Sequence, residues 1–194
     1  MKNEIYLDHN ATAPVREAVA EAMMAALRQA GNASSVHGFG RRQRQLVETA
    51  RAEVAALLGA PPQNVVFTAG GTEANNLALR GAGRRRVIVS AIEHLSVLQA
   101  ADGIETVPVT AAGIVDTAQL AEMLAADDEP ALVSIMLANN ETGVIQPLDE
   151  IAQIVEGAGG LLHSDMVQAA GRLPLDRHAV AMATLSAHKI GGPQ

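Results

Sequence analysis

With 194 residues, the chain has room for one sizeable α/β domain. Apolar residues make up 48% and aromatics only 2%, so the core must be aliphatic, which suits close-packed helix-on-sheet layers. A net charge of −7 argues against nucleic acid as a partner, because phosphate backbones need a basic surface; the absence of cysteine excludes disulfides, thiolate metal sites and a catalytic thiol within these residues.

Two local basic clusters, Arg41-Arg42-Arg44 and Arg84-Arg85-Arg86, read as solvated surface. No window approaches the ~20 apolar residues that cross a bilayer, and Met1 to Asp8 lacks the apolar segment of a signal peptide. The expected location is the cytoplasm, with no membrane partner.

Met1 to Thr12 is expected to form an N-terminal arm ahead of a domain over 13–194. Pro14 suits a first helical turn, and Val15, Val19, Ala22, Met23, Ala26 and Leu27 recur at helical spacing up to Gly31. A polar loop from Asn32 to Gly40 leads into a second helix. Its apolar face holds Leu46, Val47, Ala50, Val54, Leu57 and Leu58, and Gly59 fits the position just past the helix end. Short apolar runs then follow at Val65–Phe67, Val87–Val89, Thr106–Val109, Leu132–Leu137, Leu161–Leu162 and Met182–Leu185. Helical stretches between them begin near Gly71, Ser96, Thr117 and Leu148. Continuous apolar strands alternating with helices predict an α/β fold, a mostly parallel sheet with helices on both faces. In such sheets ligands gather at the carboxyl ends of the strands.

The residues suited to chemistry stand at those ends. Gly70-Gly71-Thr72 opens a helix, where free N–H groups and the dipole favour an anion such as phosphate; an ordinary strand-to-helix turn needs glycine too. Glu93-His94 follows the Val87 strand, and His94 could stack on a flat ring, exchange protons, or simply start a helix. Asn139 and Asn140 offer amide donors to a carboxylate or phenolate, or build a turn with Gly143 and Pro147. Asp165 ends an apolar strand with Gln168 three residues on; a carboxylate there wants a cationic partner, such as a protonated pyridine nitrogen, or caps a helix. Ser186-Ala187-His188-Lys189 runs into a glycine turn, where a deprotonated lysine could form a Schiff base, although exposed lysines are far commoner. His163 and Asp165 share a strand face, yet no spacing matches a zinc signature, and no metal is expected.

Seven segments in order resemble the cysteine desulfurases of bacterial iron–sulfur assembly, within the class V aminotransferase group of fold-type I pyridoxal-phosphate (PLP) enzymes. They are Tyr6–Thr12, Asn32–Gly38, Phe67–Asn76, Glu93–Val97, Asn139–Pro147, Asp165–Gln168 and Ser186–Pro193. The resemblance implies the PLP-binding large domain, incomplete at its C-terminal side and without the small domain. It also implies that Lys189 carries PLP and that Asp165 pairs with the pyridine nitrogen. Gln168 would bond the phenolic oxygen, and His94 would stack on the ring and move protons. Gly71, Thr72, Ser186 and His188 would hold the phosphate, and Asn140 would lie near the phenolic oxygen and the substrate carboxylate. The implied reaction converts L-cysteine to alanine and passes sulfur to an enzyme cysteine, then to an acceptor or scaffold protein, in a homodimer.

The chain departs from that pattern. In the family the persulfide-forming cysteine and the substrate-binding arginine lie beyond the equivalent of Lys189, so these residues alone are expected to be inactive. Another class V enzyme, such as a selenocysteine lyase or an aminotransferase, and a non-catalytic PLP-fold module are the alternatives.

Overall fold

The computed structural model describes residues 4–175 and 179–194; the first three residues of the expected arm lie outside this range. The chain divides into two compact units. One contains residues 68–174 and the segment ending at Ser186; the other contains the chain up to Phe67 together with Ala187–Gln194.

The first unit is a parallel five-stranded sheet. Its strands are β1 (Val87–Ser90), β2 (Glu105–Val107), β3 (Leu132–Ser134), β4 (Leu161–Asp165) and β5 (Met182–Thr184), in the order β2-β1-β3-β4-β5. Every residue of β1 and every residue from Ala131 to Leu137 is buried, the mark of strands covered on both faces. Val87 and Val89 point to one face, where they form a cluster with Leu132, Leu79, Val97 and Ala100. Ile88 and Val133, fully buried, point to the other, as the pleat requires. On the sheet, α3 (Gly71–Gly81) packs against β4 and β5 and carries the one-turn α4 (Leu95–Leu98). Helices α5 (Thr117–Ala125) and α6 (Leu148–Gly157) pack on each other and reach β2 and β4. Asp116 caps α5 by accepting from Gln119 N–H at 3.0 Å.

Three strand expectations are trimmed, the Met182–Leu185 run by its last residue. The Thr106–Val109 run ends its ladder with β1 at Val107, since Pro108 has no N–H to give, and Val109 bridges Val115 instead. The Leu132–Leu137 run leaves regular pairing after Ser134, yet Ile135 and Leu137 N–H still reach the carbonyls of His163 and Asp165. One is corrected outright: Val65–Phe67 is not a strand. Among the described residues it has no neighbouring strand, and a run without a hydrogen-bonded neighbour gains nothing from strand geometry. Val66 is 67% exposed. The segment is held within its unit by Arg51, which donates to the Val65 carbonyl at 2.5 Å and lies over the Phe67 ring.

In the second unit α1 spans Glu17–Leu27 and α2 spans Gly38–Leu57. Pro14 does not sit in the first turn of α1 as expected; Arg16 is the N-cap, because Ala13 and Arg16 N–H bond instead to the carbonyls of His188 and Gly191. Helix α2 starts earlier than the loop to Gly40 suggested, since His37 Nδ1 caps it by accepting from Gly40 N–H. Gly40 itself must be glycine: a Cβ there would strike the carbonyls of Ser35 and Asn32. Gly59, at φ 60°, takes the left-handed position expected past the helix end. The expected apolar face of α2 is largely open, with only Gly40 and Ala55 buried. Ile5, Leu7, Leu27, Val36 and Phe39 of this unit are also exposed.

Candidate active site

The sheet order reverses direction between β1 and β3, the kind of switch point outside which ligands bind in open α/β sheets. Glu93 spans it. One carboxyl oxygen, Oε1, accepts from Ser90 Oγ at 2.6 Å and from Met136 N–H at 2.8 Å, tying the end of β1 to the chain after β3. Burial, with the Asp165 charge adding to it, pushes the Glu93 carboxyl up to about 8, so at neutral pH the acid is protonated. Beside it Asn139 builds the turn after β3. Its carbonyl accepts from the N–H groups of Glu141 and Thr142, and its amide donates to the Ile92 carbonyl. Asn140, half-buried, donates to Glu141 Oε1 at 2.6 Å. Of the two amides, Asn139 thus serves the turn.

Helix α3 starts next to the end of β5. A Cβ on Gly71 would lie 3.5 Å from Ser186 Cβ and 3.6 Å from Val167 Cγ2, so the helix start, Ser186 and the turn after β4 adjoin. The first-turn N–H groups of Gly71 and Thr72 are directed out of the helix end. Glu73 reaches back to accept from Ala69 N–H at 2.5 Å and fixes that end.

Asp165 closes β4 and is 6% exposed. Its Oδ1 accepts from Val167 N–H at 3.0 Å and its Oδ2 from Asn75 Nδ2 at 2.8 Å. Both donors are neutral, and among the described residues no cation pairs with it. Gln168, buried, accepts from Arg172 at 2.7 Å through its amide oxygen. Asn75, on the sheet-facing side of α3, also donates to Ser96 Oγ at 2.9 Å. Ser96 meets His94 Nδ1 twice, through Oγ at 2.8 Å and through its N–H at 3.1 Å. His94 therefore caps α4, the helix-start role, while its ring is exposed. A backbone N–H can only donate, so Nδ1 is the acceptor and the ring proton sits on Nε2. Thr72, His94 and Ser96 line one surface pocket with Asn76, Leu95 and Gln99.

Behind Asp165, the His163 ring lies between Ser134 Oγ at 2.8 Å and Thr184 Oγ1 at 3.0 Å. Burial pulls its imidazole down to about 4, so it is neutral and its two ring nitrogens face hydroxyls.

In the other unit, Ala187–Lys189 makes a 3₁₀ turn. Lys189 Nζ donates to the carbonyls of Asn10 and Ala11 at 2.5 and 2.8 Å, and His188 Nδ1 contacts Thr12 Oγ1 at 3.3 Å. The described end of the arm thus lies on the lysine turn. Burial and the neighbouring Lys189 charge lower the His188 pKa.

A family model of class-V aminotransferases matches residues 5–194. The chain belongs to that family. An IscS-like cysteine desulfurase of Mycobacterium tuberculosis is 42% identical over 97% of this chain and 53% of its own length. A cysteine desulfurase IscS of Anaeromyxobacter is 43% identical over the whole chain and 52% of its own length. Among solved structures, a NifS-like protein of Rickettsia africae matches with TM-score 0.91 and 40% identity, over 98% of this chain and 56% of that one. The chain spans about half the length of the curated relatives it matches. Among the described residues no helix is long and apolar enough to cross a membrane.

A class-V aminotransferase implies PLP, and the residues present fit it. A buried carboxylate with neutral donors alone is costly to keep charged, and a pyridinium nitrogen is the cation that would complete it. Sequence reasoning singled out Asp165, His94, Gly71 and Ser186, but it missed Asn75 and Ser96, which join two of them. Their only signal was position: Asn75 falls one helical turn past Gly71, and Ser96 two residues past His94.

Proposed function

We propose that this chain is the PLP-binding large domain, residues 13–194 with the arm 1–12, of a cysteine desulfurase. The observation that carries the reading is Asp165, a buried carboxylate without a cation at a strand end, close to the start of α3 and the residues that follow β4. PLP, when bound, supplies an electron sink for the carbanion formed at the α-carbon of an amino acid.

The side chains divide the work. Asp165 holds the pyridine nitrogen protonated, and Gln168 and Asn140 bond the phenolic oxygen. Gly71, Thr72, Ser186 and His188 hold the phosphate through N–H, hydroxyl and imidazole donors. His94, with Nδ1 engaged by Ser96, stacks on the ring and moves a proton at Nε2. Lys189 would hold the cofactor covalently, and its ammonium, which donates to the Asn10 and Ala11 carbonyls, would have to lose a proton for the amine to act as a nucleophile. The substrate is L-cysteine and the product alanine, with sulfur passed to a cysteine that these residues do not contain and from there to an acceptor or scaffold protein for iron–sulfur or other sulfur transfer. The relatives named cysteine desulfurase support this choice of substrate. The exposed apolar residues of α1 and α2 support a homodimer, and the bacterial relatives support a cytoplasmic setting.

The test is borohydride reduction in the presence of PLP, followed by peptide mass mapping. The sequence has two lysines, Lys2 and Lys189. The pyridoxyl group is expected on Lys189. Labelling confined to Lys2 or the terminal amine would refute the assignment.

A further inference from the structure

Asn75 is 1% exposed, and its carboxamide carbonyl is buried with no hydrogen-bond partner among the described residues. An unmet buried carbonyl costs free energy, so the amide is held in place by what its nitrogen does. The two hydrogens on Nδ2 go to Asp165 Oδ2 at 2.8 Å and Ser96 Oγ at 2.9 Å. Flipping the amide would satisfy neither acceptor and would set its oxygen against the Asp165 carboxylate. Because Ser96 Oγ accepts from Asn75, its own proton is directed to the remaining neighbour, His94 Nδ1 at 2.8 Å. The polarity of the whole chain then runs one way: Asn75 donates to Asp165 and to Ser96, and Ser96 donates to His94.

We propose that Asn75 is a positioning residue that makes Asp165 and His94 one hydrogen-bonded unit, setting the carboxylate from one side and, through Ser96, the His94 ring from the other. The two ends of this unit are the groups assigned above to the ring nitrogen and the ring face of PLP, so the cofactor half of the inference rests on that reading. The hydrogen-bond half does not. Asn75 lies on α3, Ser96 and His94 at α4 and Asp165 on β4, so three separate elements are registered through one amide. Protonation of His94 at Nδ1 opposes the Ser96 hydroxyl proton, turns that hydroxyl, and is felt at the Asn75 amide.

The test uses the cofactor-free 194-residue chain and then PLP. By NMR, the Asn75 side-chain amide protons are expected to shift with the same midpoint as the His94 ring. Ser96→Ala, which removes the hydroxyl between Asn75 and His94, is expected to abolish that shared titration. Asn75→Ala is expected to weaken PLP binding about tenfold, the effect of one lost hydrogen bond to a carboxylate. Asn75 amide protons that ignore His94 titration in the unmodified chain would overturn the proposal. So would a folded Asn75→Ala that binds PLP as tightly as the parent. If the parent binds no PLP, the proposed function fails while the shared titration still decides the network. If Asn75→Ala does not fold, the Ser96→Ala titration decides it.

Discussion

Glu93→Gln should flatten the pH dependence of folding stability. In the folded chain the Glu93 carboxyl is pushed up to about 8, from an ordinary value of 4.5, by burial. The folded state therefore binds a proton that the unfolded chain has released. The stability this contributes is present in full below about pH 4.5 and is lost as pH rises through about 8. At about 1.4 kcal/mol per pH unit across that window, the loss is on the order of 5 kcal/mol. Gln at this position keeps an oxygen to accept from Ser90 and Met136. Its amide nitrogen replaces Oε2, which is itself buried with no hydrogen-bond partner among the described residues, so the fixed cost of the exchange is small. His163 works the other way: its pKa falls to about 4 on folding, so its contribution is present above 6.5 and is lost as pH drops toward 4. A single profile of the parent mixes the two groups, whereas the difference between parent and variant isolates Glu93. The assay is urea unfolding of the cofactor-free chain, followed by circular dichroism between pH 5 and 9. Glu93→Gln should be the more stable form at pH 9 by a few kcal/mol, on the order set by that window, and should lose the advantage toward pH 5. A difference that stays constant over the whole range would refute the buried-acid argument.

His163→Leu should cost about 2–4 kcal/mol in the same urea assay, because it strips a partner from two buried hydroxyls, those of Ser134 and Thr184. In a form of the protein that also carries the sulfur-accepting cysteine, Asp165→Asn should fold and bind PLP yet lower alanine release from L-cysteine about a hundredfold, as loss of a preorganised charge does; near-normal turnover would count against the role given to Asp165. Residues 1–194, which contain no cysteine, should release sulfide from L-cysteine no faster than free PLP does, measured with and without reductant.

Residue pattern alone determined what is local. The runs at Val87, Leu132, Leu161 and Met182 are continuously apolar and bounded by turn residues, which marks strands of a covered sheet. Gly59 marks a helix end because a left-handed backbone favours glycine, and the ordered motifs from Tyr6 to Pro193 placed the chain in its family. Asp165, His94 and Gly71 could be singled out because each follows or begins such an element. Pairing was beyond that kind of reading. Val65–Phe67 has the composition of a strand, but a strand exists only if another lies beside it, and none does among the described residues. Asn75 reads as one polar residue in an amphipathic helix; its meaning comes from Asp165, ninety positions away, and from the way α3 crosses β4. Glu93 is an ordinary acid by sequence and a protonated one in the fold, because desolvation depends on what surrounds a group in space. Hydrogen-bond direction, burial and titration are properties of neighbours that folding brings together, and the chain's local pattern does not list those neighbours.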